Sequence, residues 1–272
     1  MIVFPNCKLN LGLHILRKRG DGFHDLETVF YPLPLQDALE VILSPSASGS
    51  IEFTSSGLPV KGAEADNICV KAYHLVRKDF PQLPGIKMHL HKHIPMGAGL
   101  GGGSADGAFT LTLLNKKLSL GISKESLADY ALQLGSDCPF FIKNTPCYAS
   151  GRGEVLEEIS LDLTAYKFVM VNPDIHINTG WAFSQVTPLG HRSDLKEIIQ
   201  LPVQEWKNCL VNDFEEAVSI QHPEIKSCKE KLYECGALYA AMTGSGSTVY
   251  GVFLKDAEVQ PNFPPHYFVK II

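Results

Sequence analysis

The sequence has no surplus of basic residues. Lys and Arg total 24 against 29 Asp and Glu, a net charge of −5, and neither sign forms a long run. A dedicated nucleic-acid binder usually carries a basic excess, so that class is disfavoured, as is a basic membrane-surface patch. No stretch reaches the roughly 18 uninterrupted apolar residues of a spanning helix. The opening segment, Met1-Ile-Val-Phe-Pro-Asn-Cys-Lys8, lacks the charged and apolar regions of a signal peptide. Cysteines number seven, an odd count without a C-x-x-C pair or a Cys/His group at zinc-ligand spacing. Free thiols in a reducing cytoplasm fit this better than a secreted disulfide framework. A soluble, cytoplasmic protein is the expectation. Internal repeats and Gly/Ser- or Pro-rich linkers are also missing, and the serines at 44, 46, 48 and 50 read as an exposed connection between strands.

What is present is a globular balance: 272 residues, 45% apolar and 19% charged. That length suits one large domain or two coupled ones. Leu9, Leu11, Leu13 and Ile15 alternate with Lys8, Asn10, Gly12 and His14, the period of a half-buried strand. Arg19-Gly-Asp-Gly22 is a turn signal, and residues 26–43 offer further strand material. Asp66-Asn67 can cap a helix over 68–78, and residues 86–94 alternate as a strand with Ile86, Met88 and Leu90 inward. A helix to about Lys117 follows, then one over 124–134 ended by Gly135, a residue suited to the left-handed C-terminal position. From about 155 onward the pattern predicts a second α+β unit, with strands over 167–171 and 247–253 and helices over 212–218 and 224–235.

Five glycines lie within residues 97–103, directly between a strand and a helix. Such a loop lets backbone N–H groups approach a ligand, and the helix N-terminus adds positive potential, an arrangement suited to phosphate. Gly97, Gly99 and Gly102 satisfy G-x-G-x-x-G, but a Rossmann unit needs a second strand ending in Asp or Glu about 20 residues on, and another helix follows here. A P-loop needs Lys where Gly103 stands before Ser104. A protein-kinase loop needs Val at position 104 with later H-R-D and D-F-G motifs, and these are missing. His89, His91 and His93 share one strand face without a fourth partner and read as a solvated or lightly packed face, so no metal site is expected.

The string Pro95-Met-Gly-Ala-Gly-Leu-Gly-Gly-Gly-Ser-Ala-Asp106 resembles the second motif of the GHMP small-molecule kinases. Pro5-Asn-Cys-Lys-Leu-Asn-Leu11 is similar to their first motif and Met242-Thr-Gly-Ser-Gly-Ser-Thr248 to their third, in family order across most of the chain. Asp21-Gly-Phe-His24 and Gly135-Ser-Asp-Cys-Pro-Phe140 resemble the branch acting on a cytidine diphosphate-linked methylerythritol. The resemblance implies an α+β, two-domain architecture with a cleft between the domains. Residues 1–157 would form an N-terminal, ribosomal-protein-S5-like ATP-binding domain and residues 158–272 a C-terminal, ferredoxin-like α/β sandwich. It further implies transfer of the ATP γ-phosphate to the 2-hydroxyl of that substrate, in the non-mevalonate route to isoprenoid precursors. Partners would be the small molecule alone, without nucleic acid or membrane, and the chain a monomer or weak homodimer.

Individual residues follow. Asp137, beside Cys138-Pro139 in a turn setting, can project a carboxylate able to take a hydroxyl proton, or can satisfy local turn amides. The family's catalytic Asp falls there. Lys8 and Asn10 share a strand face; the resemblance makes Lys8 the active-site lysine and Asn10 a substrate ligand. It assigns ATP to Asn67, Lys92, Pro95, Met96, Gly97, Ala98, Gly99, Leu100, Gly101, Gly102, Gly103, Ser104 and Ala105. Cytosine falls to Phe23, where the family usually has Tyr, to His24 and to Phe183, and the rest of the substrate to Thr179, Gly244, Ser245 and Gly246. Mg2+ is expected to bridge ATP phosphates with few protein ligands, Ser104 or Asp106 assisting. Three rival readings remain: a kinase for homoserine or a mevalonate-type alcohol, a nucleotide-binding regulator without catalysis, and an oxidoreductase.

Overall fold

The computed structural model describes residues 1–45, 48–188, 190 and 194–272; Ser46 of the serine-rich connection lies outside the described residues. In chain order the elements are β1 (Ile2–Val3), β2 (Asn6–Lys18), β3 (His24–Gln36), β4 (Ala38–Leu43), β5 (Ile51–Gly57), α1 (Ile68–Asp79), β6 (Ile86–Lys92), α2 (Gly102–Leu118), α3 (Lys124–Leu134) and α4 (Cys138–Lys143). There follow β7 (Cys147–Ser150), β8 (Val155–Glu158), β9 (Tyr166–Asn172), α5 (Thr179–Gln185), α6 (Leu195–Ile198), α7 (Phe214–Gln221), α8 (Pro223–Glu234), β10 (Tyr239–Met242), β11 (Val249–Leu254) and β12 (Phe268–Ile271). The chain divides into two compact units, each assembled from three segments: Met1–Cys7, Pro34–Met96 and Gly101–Thr145, and then Lys8–Leu33, Gly97–Leu100 and Pro146–Ile272.

In the first unit a sheet runs in the order β1-β4-β6-β5. Strand β6 is antiparallel to β4 and parallel to β5. Ile86, Met88 and Leu90 are buried as the alternation requires, while Lys87 and His91 are exposed. His89 pairs with Thr54 Oγ1 and Ser56 Oγ, each at 2.8 Å, and His91 with Ser56 Oγ at 2.9 Å, so these two rings lie in a polar, lightly packed face. His93 lies beyond the strand's end. Helix α1 starts where Asn67 Oδ1 accepts the Cys69 N–H at 2.9 Å, the expected cap. Gly135 ends α3 but with φ 169, extended backbone instead of the expected left-handed turn. The chain turns at once into α4, where Cys138 N–H reaches Gly135 C=O at 3.1 Å. Cys138-Pro139 therefore opens a helix, not a loop, because proline fits the first helical turn, whose N–H groups have no partner.

The second unit holds two sheets, ordered β2-β3-β7-β8 and β10-β11-β9-β12. The latter is antiparallel throughout, and α8 packs on β10 and β11. Its core joins Leu13, Ile15 and Leu26 to Val169, Phe214, Val218, Leu232 and Val249. One expectation is overturned. Strand β2 is not half-buried: both faces are covered from Asn6 to Ile15. The polar face can be enclosed because its groups find partners, His14 with Glu27 Oε1 at 2.9 Å and Asn10 with Thr28 Oγ1 at 3.0 Å. All seven cysteines are free thiols. Among the described residues no helix is long and apolar enough to cross a membrane, and no group of three or more His, Cys, Asp or Glu is arranged to hold a metal ion.

Candidate active site

In the first unit the start of α2 is the prominent feature. Gly101 stands before it in the left-handed region, φ 69, a conformation that glycine reaches without a Cβ clash. The first-turn N–H groups of the helix, from Gly102 onward, lack intrahelical partners and carry the positive end of the dipole. A Cβ on Gly103 would meet nothing within 4 Å, so this turn has open space beside it. Ser104 is half-buried and hydrogen-bonds the Cys138 thiol, whose pKa is pushed up to about 12, chiefly by burial. That cysteine therefore stays protonated and is a poor nucleophile. Asp137 is half-buried at the start of α4, with its side chain not used to cap that helix.

Two further predicted nucleotide residues belong to this unit. Asn67 spends its side-chain oxygen on capping α1. Lys92, 2% exposed, is enclosed between Asp37 and Asp106, with Nζ 2.7 Å from Asp106 Oδ2. Burial alone would lower the lysine's pKa, but the two carboxylates more than offset it and raise the pKa. Its head group serves an ion cluster, an arrangement that no local sequence signal announces.

The tip of the glycine loop, Gly97–Leu100, belongs to the second unit and meets the other motifs there. Lys8 N–H donates to Leu100 C=O at 2.9 Å, fastening the lysine's strand to the loop. Lys8 Nζ donates to Asn10 Oδ1 at 2.5 Å and lies 4.7 Å from the centroid of the Phe30 ring. Only 3% exposed, Lys8 is not a solvated edge lysine. Asn10 is held from several sides: its N–H donates to Thr243 Oγ1 at 2.9 Å, its Nδ2 to Thr28 Oγ1 at 3.0 Å, and its C=O accepts from Tyr250 OH at 3.0 Å. A Cβ on Gly99 would stand 2.1 Å from Thr243 C=O, so the two glycine-rich segments approach backbone to backbone. Asn212 Nδ2 supports the second segment by donating to the carbonyls of Met242 and Gly244, at 2.8 and 2.9 Å. Ser245 Oγ pairs with Thr179 Oγ1 at 3.1 Å at the start of α5.

The aromatic residues lie in the same unit. The His24 and Phe183 rings are stacked, centroids 4.8 Å apart at 15°, and Phe183 meets Phe214 edge-on at 4.9 Å. Burial, aided by the charge of Lys18, lowers the His24 pKa. The ring is then neutral at pH 7 and offers one donor and one acceptor nitrogen. Phe23 is 53% exposed and carries the Arg152 guanidinium 4.9 Å from its centroid. Phe183 thus stacks on His24 itself. Sequence reasoning missed Thr28, Arg152, Asn212 and Tyr250, which strand pairing and chain return bring in; Thr243 was within a recognised motif.

Comparison with known proteins adds the following. The family description "GHMP kinases N terminal domain" matches residues 67–144, and "GHMP kinases C terminal" matches residues 189–261. The 4-diphosphocytidyl-2-C-methyl-D-erythritol kinase of Bacteroides fragilis is 51% identical over 259 residues, covering 95% of this chain and 94% of that protein. A crystal structure of 4-(cytidine 5'-diphospho)-2C-methyl-D-erythritol kinase aligns with a TM-score of 0.80 at 29% identity, over 94% of this chain and 91% of that one. The mevalonate kinase of Methanococcus jannaschii aligns with a TM-score of 0.71 over 94% and 92% of the two chains, but at 14% identity it shares the fold alone.

Proposed function

The chain belongs to the GHMP kinases, and among them to the 4-diphosphocytidyl-2-C-methyl-D-erythritol kinases, and on that premise we propose that it phosphorylates the 2-hydroxyl of 4-diphosphocytidyl-2-C-methyl-D-erythritol in the non-mevalonate route to isoprenoid precursors. Members of the GHMP family use ATP as phosphate donor. The observation that carries the reading is the attachment of Lys8 to the glycine loop through Leu100 C=O, with its ammonium oriented by Asn10. A buried cation beside a glycine-rich loop suits the negative charge that develops during phosphoryl transfer.

In this mechanism Asp137 accepts the proton of the 2-hydroxyl as its oxygen bonds to the γ-phosphorus. The bond between that phosphorus and the β,γ-bridging oxygen breaks, and ADP leaves. Lys8 stabilises the transferred charge. Backbone N–H groups of residues 96–105 hold the phosphates, with Pro95 and Asn67 beside them on the nucleotide side and Lys92 contributing through its ion cluster. The neutral His24 ring hydrogen-bonds the cytosine edge, and Phe23 and Phe183 supply stacking surface. Asn10, Thr179 and the 244–246 segment hold the remainder of the substrate. Asp106 does not suit Mg2+, because its carboxylate is sealed against Lys92 at 2.7 Å. The Ser104 hydroxyl is a hard oxygen donor of the right kind. Mg2+, when bound, neutralises phosphate charge and keeps most of its waters.

The enzyme is proposed to work in the cytoplasm as a monomer or weak homodimer, without nucleic acid or membrane, a reading supported by its acidic balance and seven free thiols. Residues 1–157 and 158–272 are proposed as its two divisions in sequence, with the second compact unit drawing also on residues 8–33 and 97–100. A coupled assay of ADP release tests the function. Turnover is expected with the cytidyl alcohol and not with homoserine or mevalonate; turnover with either of those alone would overturn it.

A further inference from the structure

A buried ammonium needs counter-charge, since removing an ion from water is costly unless it is paired and hydrogen-bonded. Lys92 has two carboxylates for this. Its Nζ donates to Asp37 Oδ2 and, at 2.7 Å, to Asp106 Oδ2. All three side chains are sealed from solvent. They come from different places in the chain: Asp37 from the corner between β3 and β4, Lys92 from the last residue of β6, and Asp106 from the beginning of α2. Two of these places flank the glycine-rich loop.

The other oxygen of Asp37 reaches the loop itself. Its Oδ1 accepts the N–H groups of His93 and Ile94, at 2.6 and 2.8 Å, which are the first two residues after β6. The backbone N–H of Asp37 donates in turn to Pro5 C=O at 2.8 Å, anchoring the corner. A continuous path therefore runs from the entry of the loop through Asp37 and Lys92 to Asp106 on the helix that begins at its exit. Gly102 makes the approach possible. A Cβ there would lie 2.8 Å from Ile94 Cγ2 and 3.2 Å from Lys92 Nζ. Asp106 Oδ1 is buried without a hydrogen-bond partner among the described residues, so the cluster has an acceptor to spare.

From this juxtaposition we infer that Asp37, Lys92 and Asp106 form an ionic clamp that fixes the distance between the two ends of the phosphate loop. They are positioning residues for ATP, acting through the loop backbone. The inference rests on the reading of residues 95–105 as the ATP site. A loop with three glycines, running into two more in the first turn of α2, has high conformational entropy, so its amides converge on a phosphate only if its ends are held. Charge-assisted hydrogen bonds are directional and hold a spacing more sharply than apolar contacts.

The test is a neutral triple variant, Asp37→Asn/Lys92→Met/Asp106→Asn, beside Asp106→Asn alone. Exchanging a whole buried ion cluster avoids leaving an unpaired charge and preserves folding better than a single truncation. ATP affinity is measured by calorimetry without alcohol, and KM for the alcohol separately. The expected result is a Kd for ATP at least tenfold weaker in the triple variant, with KM for the alcohol within about twofold of wild type. Wild-type ATP affinity in the folded triple variant, or an equal loss for both ligands, overturns the clamp. Hydrogen exchange on Asp106→Asn keeps the question open to refutation if the triple variant does not fold. Amides 93–105 should exchange about tenfold faster while 166–172 are unchanged, and unchanged exchange at 93–105 overturns the clamp. Failure of wild type to bind ATP would instead remove the assigned function, leaving the exchange measurement to judge the clamp by itself.

Discussion

At the scale of single residues the two proposed catalytic groups have different tasks, and substitution separates them. Asp137→Asn keeps the shape and removes the ability to take a proton. Its kcat should fall by roughly 10²–10⁴ with little change in ATP affinity, the pattern of an interaction made in the transition state. Turnover near wild type would remove Asp137 from the mechanism. Phe183→Ala removes the ring stacked on His24, and base stacking is worth roughly 1–3 kcal/mol. KM for the cytidyl alcohol should rise about 5- to 150-fold while KM for ATP holds; equal losses would mark Phe183 as a packing residue. Lys8 and Asn10 were legible in the sequence as neighbours on one strand face. Their fixed geometry was not, because Thr243 and Tyr250, which hold Asn10, lie more than 230 residues away.

Titration is a residue-scale matter too. Burial, with Asp37's charge adding and Lys92's opposing, pushes the Asp106 carboxyl up to about 7 from its ordinary 3.8. The native state then binds that proton more tightly than the unfolded chain. The stabilising contribution is full below the unfolded value and is lost as pH rises through about 7. Wild type should therefore lose Tm relative to Asp106→Asn between pH 5 and pH 8. Parallel melting curves would show that Asp106 does not titrate in that interval.

Among elements, the glycine loop is the one whose backbone conformation decides its use. Valine at position 101 would force a β-branched residue to φ 69 and crowd the donors at the start of α2. Gly101→Val is expected to weaken ATP binding at least tenfold in calorimetry, and an unchanged Kd in a folded variant would place this glycine outside the cradle. Elements with strong local signals were readable: α1 with its Asn67 cap, β6 with its alternation, and α2 after its glycines. Helix α4 was hidden, since six residues opening on Cys-Pro carry too little periodicity to distinguish a helix from a turn. Strand β2 reads as half-exposed because alternation reports polarity and not cover, and its polar face is enclosed by hydrogen-bond partners from other strands.

For the whole molecule, what matters is that each compact unit takes residues from three separated segments. A polypeptide of 158–272 alone lacks Leu13, Ile15 and Leu26, which complete the core around Val169, Phe214 and Val249. It should show no cooperative thermal transition, and mixing with 1–157 should restore one; a sharp transition from 158–272 by itself would refute this. Segment exchange of this kind has no signature in composition or periodicity, which are local quantities.

The charged group beneath the glycine loop also constrains how the sequence can drift. Loss of Lys92 alone would leave Asp37 and Asp106 facing each other without a cation, a change that typically costs about 3–5 kcal/mol, whereas neutralising all three is far milder. Loss of the lysine by a single step therefore crosses a valley that the concerted change avoids. Lineages that abandon the lysine should have surrendered the paired acids as well, so these three columns of a family alignment should vary as one character.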